Sequence, residues 1–387
     1  MRRSRLRLSA WLAAPTFVAA ATWIACSSFD ESTPPAIDDG GTDASGDSSS
    51  ADSASADSSA TEDAGDASAP CADAGVVPHV GCPEPIAKGQ LDPRHVLWAS
   101  GKIFWTNFGN ATTPGSVMSA QLDGTSASEF VATSNGYHPK FLTARAGYVY
   151  WGEQAAFSET DSPGNVHRRP AGGGAIETLA SPYSPRGITA DDAHAYWVTW
   201  NGQVIAHDLD SGTSVTWGNG LINAIDIDID PAGVVVAQGG NETSNPGSIQ
   251  GFADGGASAP SIGPRPNLPS GLRLDGNNVY WAEQGKQDAG AAGSINRVSR
   301  FGTGSPLVLC QAQASAQFVA VNAKYVYFTA AGLGANDGEL RRVLKDGSGT
   351  CELLVSGLAQ PHGVDVHQGY VYWTTRGDGR VWRLPVP

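Results

Sequence analysis

At 387 residues the chain can hold one large domain or two ordinary ones. Gly (48) and Pro (24) are plentiful and only 16 % of residues are charged, a composition that disfavours a helical protein and suits many short strands. The net charge of −14 repels phosphate backbones and anionic membrane surfaces, so nucleic acid is not an expected partner.

Met1 to Arg7 is basic and Leu8 to Ala25 is apolar and ends in small residues, the pattern of an export signal over 1–25. An uncleaved anchor of about 18 residues is the competing reading, at the lower edge of what spans a bilayer. Removing the leader leaves 20 basic against 38 acidic residues, a net charge of −18. The stretch Trp23-Ile24-Ala25-Cys26 resembles the lipobox of bacterial lipoproteins. That resemblance implies lipidation of Cys26 and a protein anchored through lipid alone, facing the periplasm or the cell surface. Ser27 to Pro70 carries eleven acidic residues and no Lys or Arg. Such a segment cannot bury enough apolar surface to offset its ordering entropy, so 26–75 is expected to be a disordered stalk.

From residue 76 onward one unit returns seven times. Its core is an aromatic string, as in Phe104-Trp105-Thr106-Asn107, Tyr150-Trp151-Gly152-Glu153 and Tyr372-Trp373-Thr374-Thr375. The second positions of the seven strings lie 46, 46, 39, 45, 47 and 45 residues apart, a period that fits blades of a β-propeller. Twelve residues before each stands Pro93, Pro139, Pro185, Ala224, Pro269, Ala316 or Pro361, and each unit continues with Gly, one residue and an aliphatic, from Gly115-Val117 to Gly379-Val381. Each unit therefore reads as strands a (after Pro), b (aromatic), c (after Gly) and d. The seventh unit ends at Pro387 without strand d, and Glu84 to Gly89 aligns without a gap on Glu352 to Gly357. The predicted fold is all-β, a single seven-bladed propeller over 76–387 closed by the N-terminal strand, with six blades as the alternative.

The Tyr-Trp-Thr-x strings resemble the YWTD repeats of LDL-receptor class B and NHL-like propellers over most of 84–387. No repeat has Asp in the fourth position, which holds Asn107, Glu153, Thr199, Gln238, Glu283, Ala330 or Thr375. The resemblance implies architecture and a binding role and names no ligand.

No nucleophile elbow, zinc-protease helix or phosphate loop occurs in the sequence, and no cofactor is expected. Asp226, Asp228 and Asp230 alternate on one strand face, but Pro231 and Ala237 stand where a calcium loop needs Gly and Glu. They could hold Ca²⁺ or pair with Arg; no metal is expected. Cys71 and Cys82 are the preferred disulfide by nearness. Cys310 and Cys351 fall at opposite ends of neighbouring outer strands in the repeat register, which argues against a bridge between them.

Because strands alternate in direction, the d–a and b–c connections open on one face of the ring. The residue after the Pro slot is Arg94, Lys140, Arg186 and His362 in blades 1, 2, 3 and 7, neighbours in a closed ring. With Glu153 and Glu283 ending their b strands nearby, these residues form a candidate ligand-binding set for an anionic small ligand or carboxylate. The expected function is a lipid-anchored, monomeric binding module engaging a carbohydrate, peptide or protein partner on the loop face. The alternative is a propeller enzyme of lyase or lactonase type, using His362 with Glu153 or Glu283 at the central funnel.

Overall fold

Two consecutive aromatics on one strand face opposite ways, so burying both requires cover on both sides of the sheet. The structure, a computed structural model, supplies that cover in a ring. It describes residues 75–76 and 81–387, apart from 134–136, 156–161, 241–246, 263–267, 287–290 and 302–303, all within the unit Asp63–Pro387. The leader, Cys26, the stalk and Cys71 lie outside the described residues. There is no helix among the described residues.

Seven antiparallel sheets, each of at least four strands, form the seven blades. Blade 1 is Pro93–Ala99, Lys102–Asn107, Ser116–Gln121 and Ser128–Ala132, strands a to d. Blade 2 begins with strand a at His138–Arg145, blade 3 at Pro185–Ala190, blade 4 at Ala224–Asp230, blade 5 at Pro269–Asp275, blade 6 at Ala316–Val321 and blade 7 at Pro361–His367. The a strands neighbour one another in a closed circle.

Trp105, Trp151, Trp197, Trp281 and Trp373 are all fully buried. In blade 2, Trp151 packs with Phe104 and Val117 of blade 1, and Tyr150 packs with Ile188 and Trp197 of blade 3. Blade 5 repeats this, with Trp281 against Val235 and Ala237 of blade 4 and Tyr280 against Phe328 of blade 6. The Trp thus faces the preceding blade and the Tyr the following one. The Gly and Pro slots meet each other. A Cβ on Gly115, Gly164 or Gly338 would collide with the ring of Pro139, Pro185 or Pro361 in the next blade. The third-position Thr ties strand b to two a strands. Thr106 Oγ1 accepts from His95 N and donates to Lys140 O, and Thr374 Oγ1 accepts from Gly363 N and donates to Arg94 O.

The ring closes as the repeat alignment predicts. Glu84–Ala87 pairs with the last strand, Arg380–Pro385, through Glu84 with Arg383 and Ala87 with Val381. One strand escaped the sequence reading: Gly75–Val76 adds a fifth strand to blade 6, pairing with Ser356 and Val355.

The cysteine reading needs correction. Cys310 and Cys351 form a disulfide, with Cα atoms 5.8 Å apart. Cys310 is buried within strand d of blade 5, Leu307–Gln313, and Cys351 precedes strand d of blade 6. The blades twist, so the c–d turn of one blade crosses the outer strand of the blade before it. Gly347 of that turn lies against Leu307 and Leu309, as Gly124 of blade 1 lies against Ile86 of the closing strand. Cys82 is also disulfide-bonded.

Candidate functional site

The loop face is built on a repeated backbone device. The residue before the Pro slot is left-handed in six blades: Asp92, Ser184, Asn223, Leu268, Ser315 and Gln360, with φ between 33° and 56°. Its carbonyl accepts the N–H of the residue that follows the fourth string position, respectively Phe108, Trp200, Gly239, Gln284, Ala331 and Arg376, at 2.8–3.1 Å. Each b–c loop is therefore clipped to the d–a connection beside it. Non-Gly residues in this region carry backbone strain that the surrounding structure must hold.

Arg94 is buried, its guanidinium 3.6 Å from the Phe108 ring centroid and bonded to Asp92 Oδ2 through Nε (3.0 Å) and Nη2 (2.8 Å). Asp92 also accepts Arg376 Nε on its other oxygen at 2.6 Å. Burial raises the Asp92 pKa, but the two guanidiniums outweigh it and hold the carboxyl below its ordinary value. His362 Nδ1 donates to Arg94 O at 2.9 Å, and its ring lies 4.8 Å from that of Phe318. Burial, reinforced by Arg376 and Arg94, pushes the His362 pKa well below normal, so the imidazole is neutral with its proton on Nδ1. Lys140 is buried with Nζ 5.8 Å from the Phe141 ring. Arg186 bonds Asn223 Oδ1 (2.6 Å) and Ala224 O (3.1 Å) and stacks over Trp200 at 4.6 Å.

Glu153 and Glu283 point along their own blades. Glu153 accepts from Trp151 Nε1 (3.4 Å) and Asn165 Nδ2 (3.4 Å) and meets His167 Nε2 at 3.0 Å. Glu283 accepts from Trp281 Nε1 (3.1 Å) and Ser294 Oγ (3.3 Å). In these two blades the fourth string position thus caps the buried indole two residues earlier, and these contacts tie both carboxylates to strands b and c of their own blades. His362 bonds instead to blade 1, so these contacts do not assemble it with either Glu as an acid–base pair.

A cavity of about 240 Å³ opens on the loop face between blades 6 and 7, lined by Ser315, Gln317, Leu333, Gln360, His362 and Arg376 among others. Its rim is fixed. The Asp337 carboxylate accepts Leu333 N (3.1 Å) and Gly334 N (2.9 Å), and Gly332, at φ +78°, leaves no room for a Cβ beside it. Arg376 and Asp92 escaped the sequence reading. They occupy the positions just after strand b and just before Pro, and opposite charges at those two slots in neighbouring blades were the available signal.

A second cavity, about 180 Å³, lies along the inner strands. Asp226, Asp228 and Asp365 line it, and each accepts a backbone N–H from the next blade's strand a: Leu272 (3.0 Å), Leu274 (2.8 Å) and Trp98 (2.7 Å). Asp226 also meets Arg273 Nη1 at 3.2 Å, and Asp230 meets Arg300 at 3.0 Å. Burial raises all three lining carboxyls, partly offset by Arg273. The alternating Asp residues thus satisfy the free inner edges of a strands. Among the described residues no group of three or more His, Cys, Asp or Glu could hold a metal.

No protein-family profile matches the chain, and no curated protein matches it. Solved structures do. The structure of U3-55K aligns with 79 % of this chain and 98 % of its own at 11 % identity and a TM-score of 0.59. The hydrazine synthase of Kuenenia stuttgartiensis aligns over 78 % and 97 % at 14 % identity and 0.58. The computationally designed protein Ika8 aligns over 77 % and 87 % at 12 % identity and 0.50. At such identities the likeness shows the β-propeller fold and nothing more.

Proposed function

We propose that this chain is an exported binding module, held to a membrane by lipid on Cys26 and carried on the segment between Cys26 and the strand Gly75–Val76 as a stalk. Its propeller engages an anionic group of a carbohydrate, peptide or protein partner through the loop face. The observation that carries this reading is the cavity between blades 6 and 7, where Arg376 is gripped by Asp92 through Nε and Nη2 while its Nη1 has no partner among the described residues. A guanidinium fixed on one side and open on the other is a ready carboxylate receptor. No helix among the described residues is long and apolar enough to cross a membrane.

Thermal denaturation of the purified protein with gluconate, galacturonate, a short acidic peptide and neutral glucose tests the site. A ligand at 100 times its Kd adds about 2.7 kcal/mol, so the acidic ligands raise the melting temperature by several degrees and glucose does not. Arg376→Gln abolishes the shift. Absence of a shift with every acidic ligand overturns the reading.

A further inference from the structure

The same cavity holds a second group whose chemistry is fixed by what surrounds it. The Arg94 carbonyl can only accept, so the 2.9 Å contact places the His362 proton on Nδ1 and leaves Nε2 as a bare lone pair. Nε2 has no hydrogen-bond partner among the described residues and is not sealed from solvent. Phe318, packed on the ring at 4.8 Å, and the Arg94 carbonyl on Nδ1 keep it from turning, and burial first, with Arg376 beside it second, keeps it from charging. The cavity therefore presents a hydrogen-bond acceptor at His362 Nε2 beside a positively charged donor at Arg376 Nη1.

Few small groups satisfy both. A carboxylate alone answers Arg376 and leaves the imidazole facing a second acceptor or nothing. A neutral polyol answers the imidazole and leaves one positive charge over, because Arg94 and Arg376 share the single carboxylate of Asp92. An α-hydroxy carboxylate answers both, with the carboxylate on Arg376 and the adjacent hydroxyl donating to Nε2. At about 30 Å³ per water, about 240 Å³ is room for roughly eight waters, the size of one sugar acid. The remaining polar lining is partly committed within the protein, since Gln317 Nε2 donates to Ser315 Oγ (2.8 Å) and its Oε1 accepts from Gln284. The exposed Leu333 at the rim offers an apolar contact for the carbon skeleton.

Resting on the loop-face reading above, we infer that the cavity between blades 6 and 7 selects a 2-hydroxy carboxylate, such as an aldonic acid end, through Arg376 and His362. Titration calorimetry with D-gluconate, 2-deoxy-D-gluconate and sorbitol tests this on the unmodified protein. Gluconate binds about 3- to 10-fold tighter than its 2-deoxy analogue, the range of one net hydrogen bond, and sorbitol does not bind. In His362→Asn the side-chain amide can still donate to the Arg94 carbonyl, but its oxygen takes the place of Cδ2 and stops short of the position of Nε2. Gluconate then falls to the affinity of the 2-deoxy compound, whose own binding is unchanged. Equal affinities for the two acids in the unmodified protein overturn the role of His362 and leave the anionic loop-face site standing. Binding of neither acid overturns both.

Discussion

His95 lies deeper than His362, in the inner cavity, with its ring 5.8 Å from Phe141 and 5.6 Å from Phe318. Its Nε2 contacts Arg273 Nη2 at 3.4 Å and its Nδ1 is buried without a hydrogen-bond partner among the described residues. Burial first, and Arg273 second, lower its pKa to about 3. The unfolded chain takes up a proton at this residue near pH 6.5, whereas the folded protein refuses it until about pH 3. Stability from His95 is therefore complete above pH 6.5 and is lost as the pH falls, by about 1.4 kcal/mol per unit once the unfolded residue is charged. His362 adds in the same sense. Asp226, Asp228 and Asp365 act in the opposite sense, because carboxyls raised by burial take up protons in the folded state first. Comparing two variants isolates one histidine from these. Urea unfolding of the unmodified protein and of His95→Phe between pH 6 and 5 gives slopes that differ by about 1 kcal/mol per unit, the variant being flatter. Parallel slopes show that His95 is charged in the folded protein.

The hairpins joining strands a and b show how local chemistry and blade geometry agree. Ser100-Gly101, Ala146-Gly147 and Gln368-Gly369 each have both central residues at positive φ, the mirror-image turn whose twist matches its flanking strands. Ala146, at φ 50°, is exposed and lies between Arg145 and Tyr148, which pair directly. Asn tolerates this conformation better than Ala, so Ala146→Asn raises stability by about 0.5–1 kcal/mol, measured as a higher urea midpoint at unchanged slope. An unchanged or lower midpoint removes turn strain as the explanation. Turns and slots of this kind show which features a sequence reveals. The spacing of Trp, Pro and Gly was legible because each is a local demand that recurs, Gly in all seven repeats and Trp and Pro in five, and the Gly–Pro contacts between blades explain why the two slots travel together. The left-handed residues before Pro were not legible, since Ser184, Leu268 and Gln360 have no side-chain reason to adopt that conformation and the clip to the next loop imposes it. Glu153 and Glu283 lie in the last part of a b strand, where alternation turns their carboxylates to the indole two residues back. The Cys310–Cys351 bridge was hidden because a flat repeat register omits the twist that lays one blade's turn across its neighbour. Of the two charged or titratable residues that line the cavity, His362 stands in the slot after Pro that the repeats single out, while Arg376 stands in the loop that follows strand b, where no repeat pattern points to it.

A seven-bladed ring has one joint, and here it is made by strands from the two ends of the folded region. Glu84–Ala87 covers the edge of Arg380–Pro385 with backbone hydrogen bonds, and Arg383 Nε bonds Glu84 Oε2 at 2.7 Å. Ile86 is buried in a cluster with Ile103, Trp105 and Tyr372, which joins blade 7 to blade 1. Asp92, which orients both arginines of the candidate site, follows five residues after Ala87 and sits in the same joint. Closing the ring and shaping the cavity are therefore one event, since the chain that supplies the last strand also supplies the carboxylate between Arg94 and Arg376. A chain beginning at residue 91 keeps Asp92 and every candidate site residue but leaves Arg380–Pro385 as an open edge, which favours pairing with another copy. It elutes as dimers or aggregates in size-exclusion chromatography, melts well below the full protein and shows no shift with gluconate. Adding the peptide spanning 81–90 restores some of the lost melting temperature by occupying the vacant edge. A truncated chain that stays monomeric, melts like the full protein and still responds to gluconate means that the interfaces between a strands hold the ring without its joint.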